Sequence, residues 1–99
     1  MSKYNVYITR TAENDLKSIV EYISRDSVST ANKWSEEIAG QIESLETFPM
    51  RFQVIPEAPY LGKEYRHLIY GNYRTIYKIN QSTVTILRVI NSSQLLNLY

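Results

Sequence analysis

Residues 64–90 read EYRHLIYGNYRTIYKINQSTVTILRVI. The stretch divides into three runs rich in aromatic and β-branched residues, Tyr65–Tyr70, Asn72–Ile79 and Thr83–Ile90, and such residues pack well on a pleated surface. Gly71-Asn72 and Asn80-Gln81-Ser82 separate the runs. Glycine accepts positive φ, and short amide and hydroxyl side chains bond their own backbone, so both breaks read as turns. Connections this short predict antiparallel hairpins, because a parallel return needs a crossover of a dozen residues or more. Arg66, Arg74, Lys78 and Arg88 lie within these runs. Strands that mix arginine with apolar residues predict a sheet with one face turned to water or to a partner.

Upstream, Lys3–Thr9 alternates Tyr4, Val6 and Ile8 against Asn5, Tyr7 and Thr9, the period of a half-buried strand. Thr11 is the expected N-cap of a first helix over about 12–25, with Glu13 and Asp15 where the helix dipole favours negative charge. Ala12, Leu16, Ile19, Val20 and Ile23 form its apolar stripe. A second helix is expected over about 29–47, with Ala31, Trp34, Ile38, Ile42, Leu45 and Phe48 at helical spacing and Pro49 as its stop. Trp34 is assigned to the core. Pro56 and Pro59 exclude a regular helix across the connector 50–62, and Ser92 or Ser93 is placed to cap a short turn in the tail. The order β-α-α-β-β-β predicts an α+β domain over residues 1–99, a small antiparallel or mixed sheet with an N-terminal helical hairpin on one face.

A chain of 99 residues buries roughly 60–70% of its unfolded surface, enough for a core without covalent staples. It has no cysteine, which removes disulfides and thiolate metal sites and fits a reducing, cytoplasmic setting. The N-terminus has no apolar run of signal-peptide length, and no stretch is long enough to span a membrane. Residues 1–48 carry five cations against eight carboxylates, a net −3, and residues 49–99 carry six cations against two, a net +4. A basic sheet half suggests a phosphate-bearing or acidic partner, or simply solvated charge.

With one histidine and three glycines there is neither a metal-ligand spacing nor a Gly-rich phosphate loop, and no metal or cofactor is expected. The residues able to do chemistry are Lys63, Arg66, His67, Tyr73 and Arg74, with Glu57 upstream and Asn91, Gln94 and Tyr99 downstream. Arg66 and Arg74 stand at even offsets in neighbouring strands and share one face if the hairpin register allows it. Two guanidiniums on one face would grip a phosphodiester through planar paired donors, and neighbouring tyrosines would stack bases. The alternative is structural: Arg74 paired with a carboxylate, Tyr73 and Tyr77 in the core, His67 an ordinary strand residue.

Nearly the whole chain resembles the toxin half of a RelE/ParE-type toxin–antitoxin pair. The matching residues include Ala12, Asp15-Leu16, Ile19 and Tyr22-Ile23 in the first helix, Ala31, Ile38, Ile42, Leu45 and Phe48-Pro49 in and after the second, and Pro56-Glu57 in the connector. Glu64-Tyr65-Arg66-x-Leu68, Asn72-Tyr73-Arg74-x-Ile76-Tyr77 and Val84-x-Ile86-Leu87-Arg88-Val89 complete the series. The resemblance implies a cytoplasmic growth inhibitor silenced by a cognate antitoxin. That antitoxin is expected to supply an acidic or amphipathic segment that covers apolar grooves beside the helices and neutralises the basic half. RelE-type members cut messenger RNA on the ribosome, and ParE-type members poison DNA gyrase.

In the ribonuclease branch the arginine of the Tyr-Arg pair contacts the scissile phosphate, a role that falls on Arg74 here. Arg66, with His67 or Tyr99 assisting, completes the candidate catalytic set; Lys63, Tyr73, Lys78, Arg88, Asn91 and Gln94 make the candidate target-binding set. That branch carries a His or Arg, and often a Tyr, just after the last strand. This chain has Asn91 and Gln94, and neither exchanges a proton near neutral pH, a contribution worth ~10²–10⁴ in rate. The departure favours a ParE-like, protein-directed inhibitor over the messenger-RNA endonuclease, with an attenuated homologue that only binds antitoxin as a third class.

Overall fold

The computed structural model describes residues 3–96. Strand β1 (Asn5–Ile8) leads into helices α1 (Arg10–Ser24) and α2 (Val28–Glu43), the helical turn α3 (Ala58–Leu61), and strands β2 (Arg66–Tyr70), β3 (Tyr73–Asn80) and β4 (Thr83–Asn91). The four strands form one mixed sheet in the order β1-β4-β3-β2, with β1 parallel to β4 and the other pairs antiparallel. This is the α+β arrangement expected from the sequence, and the helical crossover is what lets β1 lie parallel to β4.

Helix α1 starts two residues before its expected position because Thr9, not Thr11, is the N-cap. Thr9 is extended and its Oγ1 accepts from the Ala12 amide, so the strand ends and the helix begins at one residue. The same hydroxyl donates to the Ile86 carbonyl at 2.8 Å, tying the cap to β4. Ser27 caps α2 by accepting from the Thr30 amide. Helix α2 stops at Glu43, short of the expected 47, and tightens into a 3₁₀ turn over Ser44–Glu46. Phe48 then turns the chain with φ 47, and Pro49 opens a second 3₁₀ turn. Arg51 donates to the carbonyls of Thr47 and Phe48 at 2.5 and 3.1 Å, satisfying acceptors the helical segment leaves open.

One core lies between the helices and the sheet, where Ala12, Ile19, Trp34, Ile38 and Ile42 meet Leu68, Tyr77, Val84, Ile86 and Val89. Trp34 belongs to it, as its place on the stripe implied, and meets Tyr73 edge-on with ring centroids 5.4 Å apart. Between Ile76 and Tyr77 the β3–β4 register shifts so that Leu87 has no opposite residue. Such a bulge reverses the parity of the strand, which is why Val89 faces the helices together with Val84 and Ile86. Asp15 holds the bulge from α1: its carboxylate accepts from the Val89 amide at 3.0 Å and from Arg88 Nε at 2.7 Å.

The other face of the sheet is not left to water, contrary to the expectation from its arginines. Ile76 and Ile90 are covered by Ile55 of the connector and Leu96 of the tail, which together form a second, smaller core. The connector also extends the sheet edge, with the Ile55 amide donating to the Tyr65 carbonyl and the His67 amide to the Gln53 carbonyl.

Candidate functional site

The hairpin register separates the two arginines expected to act together. Arg66 lies opposite Tyr77 and Ile69 opposite Arg74, so Arg66 projects on the helix side of the sheet and Arg74 on the other. Arg66 donates to the Phe52 carbonyl at 2.7 Å and lies 3.4 Å from the Glu64 carboxylate. A two-arginine phosphate clamp on one face is therefore not formed.

Arg74 sits at the centre of the second face, only 3% exposed, with Glu57 at 7% and His67 at 8%. Its Nη1 donates to Glu57 Oε1 at 3.1 Å and to His67 Nδ1 at 3.1 Å. Its Nη2 donates to Glu57 Oε2 and, at 2.7 Å, to the Gln94 carbonyl. Glu57 Oε2 also accepts from the Leu96 amide at 2.8 Å. The pair thus binds the chain's own tail, with the guanidinium holding one carbonyl and the carboxylate holding one amide. Glu57 is positioned for this by Pro56 and by the start of α3, whose first turn tolerates Pro59.

The electrostatics follow from these contacts. Hydrogen bonding from Arg74, helped by the Leu96 amide and opposed by burial, holds the Glu57 carboxyl at about 2. Burial, reinforced by the Arg74 charge, lowers the His67 pKa below its ordinary value. A guanidinium has no acceptor to offer, so His67 Nδ1 must be the accepting nitrogen and the neutral Nε2–H form is selected. Neutral His67 with Nδ1 occupied is neither a general acid nor a free base at that nitrogen.

The other candidate residues are dispersed. Arg88 is bound to Asp15, whose hydrogen bonds raise the Arg88 pKa. Tyr73 is half-buried against Trp34. Lys63 is exposed after α3, and Lys78 is exposed beside Thr85 on the face away from the helices. Asn91 Oδ1 accepts from the Ser93 amide and hydroxyl at 3.0 and 2.7 Å, so Asn91 rather than either serine organises the turn into the tail. Gln94 reaches the buried pair through its backbone carbonyl only, with its residue exposed. Tyr99 lies outside the described residues.

The site that does form is Glu57, Arg74, His67 and the backbone of 94–96. Sequence reasoning named its side chains but not the Leu96 amide, nor Asp15 as the partner of Arg88. One signal was available for the pairing: Glu57 and Glu64 are the only acids among residues 49–99, and each lies against an arginine. Two of the six cations of the basic half are thereby paired from within it and Arg88 is paired by Asp15 of α1, while Arg51, Lys63 and Lys78 are its exposed cations without an ion-pair partner among the described residues.

Around the tail the surface is apolar. Tyr60 is 91% and Leu95 72% exposed, and with Pro56, Leu61 and Leu96 they border a cavity of about 330 Å³. No three His, Asp or Glu side chains converge as metal ligands among the described residues. No described helix is long and apolar enough to cross a membrane.

Comparison with known proteins places this geometry in a family. A chromosomal ParDE toxin–antitoxin system of P. aeruginosa contains a similar chain, with a TM-score of 0.69 at 19% identity over 90% of this chain and 96% of that one. The toxin–antitoxin complex RelBE2 of Mycobacterium tuberculosis also contains one, with a TM-score of 0.57 at 24% identity over 95% of this chain and 97% of that one. At these identities the likeness is one of fold. No curated protein is similar in sequence. Residues 6–96, however, match the family described as ParE toxin of type II toxin-antitoxin system, parDE. With the match running from β1 through the buried pair to the tail it holds, the chain belongs to the ParE toxin family.

Proposed function

We propose that this chain is a cytoplasmic growth inhibitor that acts on DNA gyrase by protein–protein contact, and that a cognate antitoxin silences it. The observation that carries the reading is the commitment of Arg74. The guanidinium expected to grip a phosphate spends its Nη donors on Glu57, His67 and the Gln94 carbonyl inside the protein. A phosphodiester at this position would have to displace the tail and separate a buried, doubly bonded ion pair. What the same assembly offers outward is a presented surface: exposed Tyr60 and Leu95, with Lys63 nearby in sequence on the connector. Aromatic and aliphatic groups on a rigid support are the usual centre of a protein interface. The solved relatives are of toxin–antitoxin systems, which supports an antitoxin as the silencing partner.

The test pairs two assays on the purified full chain. ATP-dependent supercoiling by gyrase is expected to stop, and Tyr60→Asp with Leu95→Asp is expected to relieve the block without unfolding the protein. Primer extension on a defined message in a purified translation system is expected to show no new cuts. Ribosome-dependent cuts with undiminished supercoiling would overturn the reading in favour of the endonuclease.

A further inference from the structure

The chain turns from the helical segment into the connector at Phe48, and it does so in the left-handed region, with φ 47 and ψ 60. Gly62 and Gly71 take the same region at their turns, and Gln81 takes it in the β3–β4 turn. Glycine meets no steric clash there, whereas a bulky side chain does. Phe48 is the one large apolar residue with positive φ among the described residues.

Burial does not compensate this strain, since Phe48 is 61% exposed. The turn also has fastenings that do not involve the ring. Arg51 donates to the Thr47 and Phe48 carbonyls, the Tyr77 hydroxyl donates to the Pro49 carbonyl, and Pro49 is buried. A glycine at position 48 would make the same turn without the clash. A strained residue that gains little burial points to function rather than folding.

The ring has neighbours in the chain with the same character. Met50, Val54 and Tyr60 of the connector are exposed as well, and Val54 bridges to Arg66, which sets this segment along the β2 edge. The exposed charge of the segment has one sign. Arg51 and Lys63 are exposed without an ion-pair partner among the described residues. Glu57, the only carboxylate between positions 48 and 63, is buried against Arg74.

We propose that Phe48 is an anchor of the contact with gyrase: its ring enters an apolar pocket of that protein, and the rim of the pocket is acidic. The inference rests on the gyrase reading above and extends the contact surface from Tyr60 back along the connector. A ring whose backbone is already fastened loses little freedom on binding, and carboxylates at the rim match Arg51 and Lys63. A nucleic acid would answer the cations alone; Met50 and Val54 beside the ring call for a protein surface.

The test uses the full chain and purified gyrase, with supercoiling and urea unfolding measured on each variant. Phe48→Gly raises the concentration for half-inhibition about tenfold or more, while its urea midpoint stays at or above that of wild type because the clash is gone. Phe48→Met keeps an apolar side chain in the strained conformation, and retains inhibition to within about fivefold of wild type. Lys63→Glu places like charge at the rim and weakens inhibition about threefold.

Inhibition unchanged in Phe48→Gly overturns the anchor and leaves the gyrase reading standing. A lower urea midpoint in Phe48→Gly shows that the ring supports the fold, and overturns it also. Inhibition unchanged in Lys63→Glu overturns the acidic rim. Undiminished supercoiling in the presence of the wild-type chain overturns the gyrase reading, and the inference with it.

Discussion

Removing the charge of Glu57 tests whether Arg74 is a structural cation. Glu57→Gln keeps the side-chain volume but leaves a guanidinium in a pocket where it is 3% exposed, with Ile76 and Ile90 packed on the same face. Breaking one side of a buried pair costs about 3–5 kcal/mol, because the remaining charge is neither solvated nor neutralised. For a domain whose total stability is about 5–15 kcal/mol that is a large share, and at about 4–8 °C per kcal/mol the Tm falls by at least ~12 °C. Arg74→Met alone also destabilises, leaving Glu57 with the Leu96 amide as its remaining partner. The double variant Glu57→Gln/Arg74→Met removes both charges, so its loss is smaller than the sum of the single losses by about 2–3 kcal/mol. Urea unfolding of the four proteins gives this coupling directly. The same double variant, if folded at the working temperature, still inhibits gyrase, since neither charge is assigned to the target. A coupling below about 0.5 kcal/mol would refute the reasoning, because a pair this buried cannot be energetically independent.

Acid should weaken the fold through the same carboxylate. Its pKa is lowered from 4.5 to about 2, so the folded state binds fewer protons than the unfolded one. The stabilisation is complete above about 4.5 and is lost as pH falls toward 2. At 1.36 kcal/mol per unit it amounts to about 3 kcal/mol, and urea midpoints against pH should lose this slope in Glu57→Gln. His67, also lowered, adds a loss of the same sign beginning as pH falls through its ordinary value of 6.5, which His67→Gln should remove. Burial raises Tyr77 to about 12 against the opposing charges of Arg66 and Arg51, and its hydroxyl donates to the Pro49 carbonyl at 2.6 Å. Alkaline difference spectroscopy should show one tyrosinate forming last, absent in Tyr77→Phe, a variant less stable by about 1–2 kcal/mol. Asp15→Ala strands the Val89 amide and frees Arg88, a loss of about 2–3 kcal/mol by thermal unfolding, and faster amide exchange in β4 than in β3 should accompany it.

The periodic parts of the fold were legible in the sequence. Both helical stripes, the three strands and the core place of Trp34 follow from residue spacing, because burial of one face imposes the period. The boundaries were less so. Thr9 and Thr11 are chemically equal as caps, and the choice falls on Thr9 because its hydroxyl also reaches the Ile86 and Leu87 carbonyls, a contact 77 residues away in sequence. The bulge at Leu87 has no marker in its own strand; it is held by Asp15, which on α1 reads only as an acid in a favourable helix dipole. Parity reasoning therefore fails at Arg88 and Val89. It also fails for Arg66 and Arg74, whose shared face depended on a register that the Gly71 turn set otherwise.

The case of Arg74 shows why residue type at a matched position does not fix a role. An arginine on a strand can present its donors outward only if something else satisfies the strand's remaining polar groups and the tail leaves the face open. Here Asn91 gathers the Ser93 amide and hydroxyl, and the chain doubles back so that Leu96 packs with Ile55, Ile76 and Ile90. Once Leu96 is seated, its amide is buried over the sheet and the Gln94 carbonyl part-buried, and burial of such groups favours a partner of opposite polarity for each. Glu57 supplies the acceptor and Arg74 the donor, and the two charges neutralise one another. The apolar tail residue and the buried pair are thus mutually dependent. Replacing Leu96 by Asp should expose the face and place a second carboxylate near Glu57, raising the Glu57 pKa by like-charge repulsion. NMR titration of the Glu57 carboxyl would read the shift directly. A pKa that stayed near 2 in that variant would mean that Arg74 holds Glu57 without the tail, and that the pair and the tail are not mutually dependent.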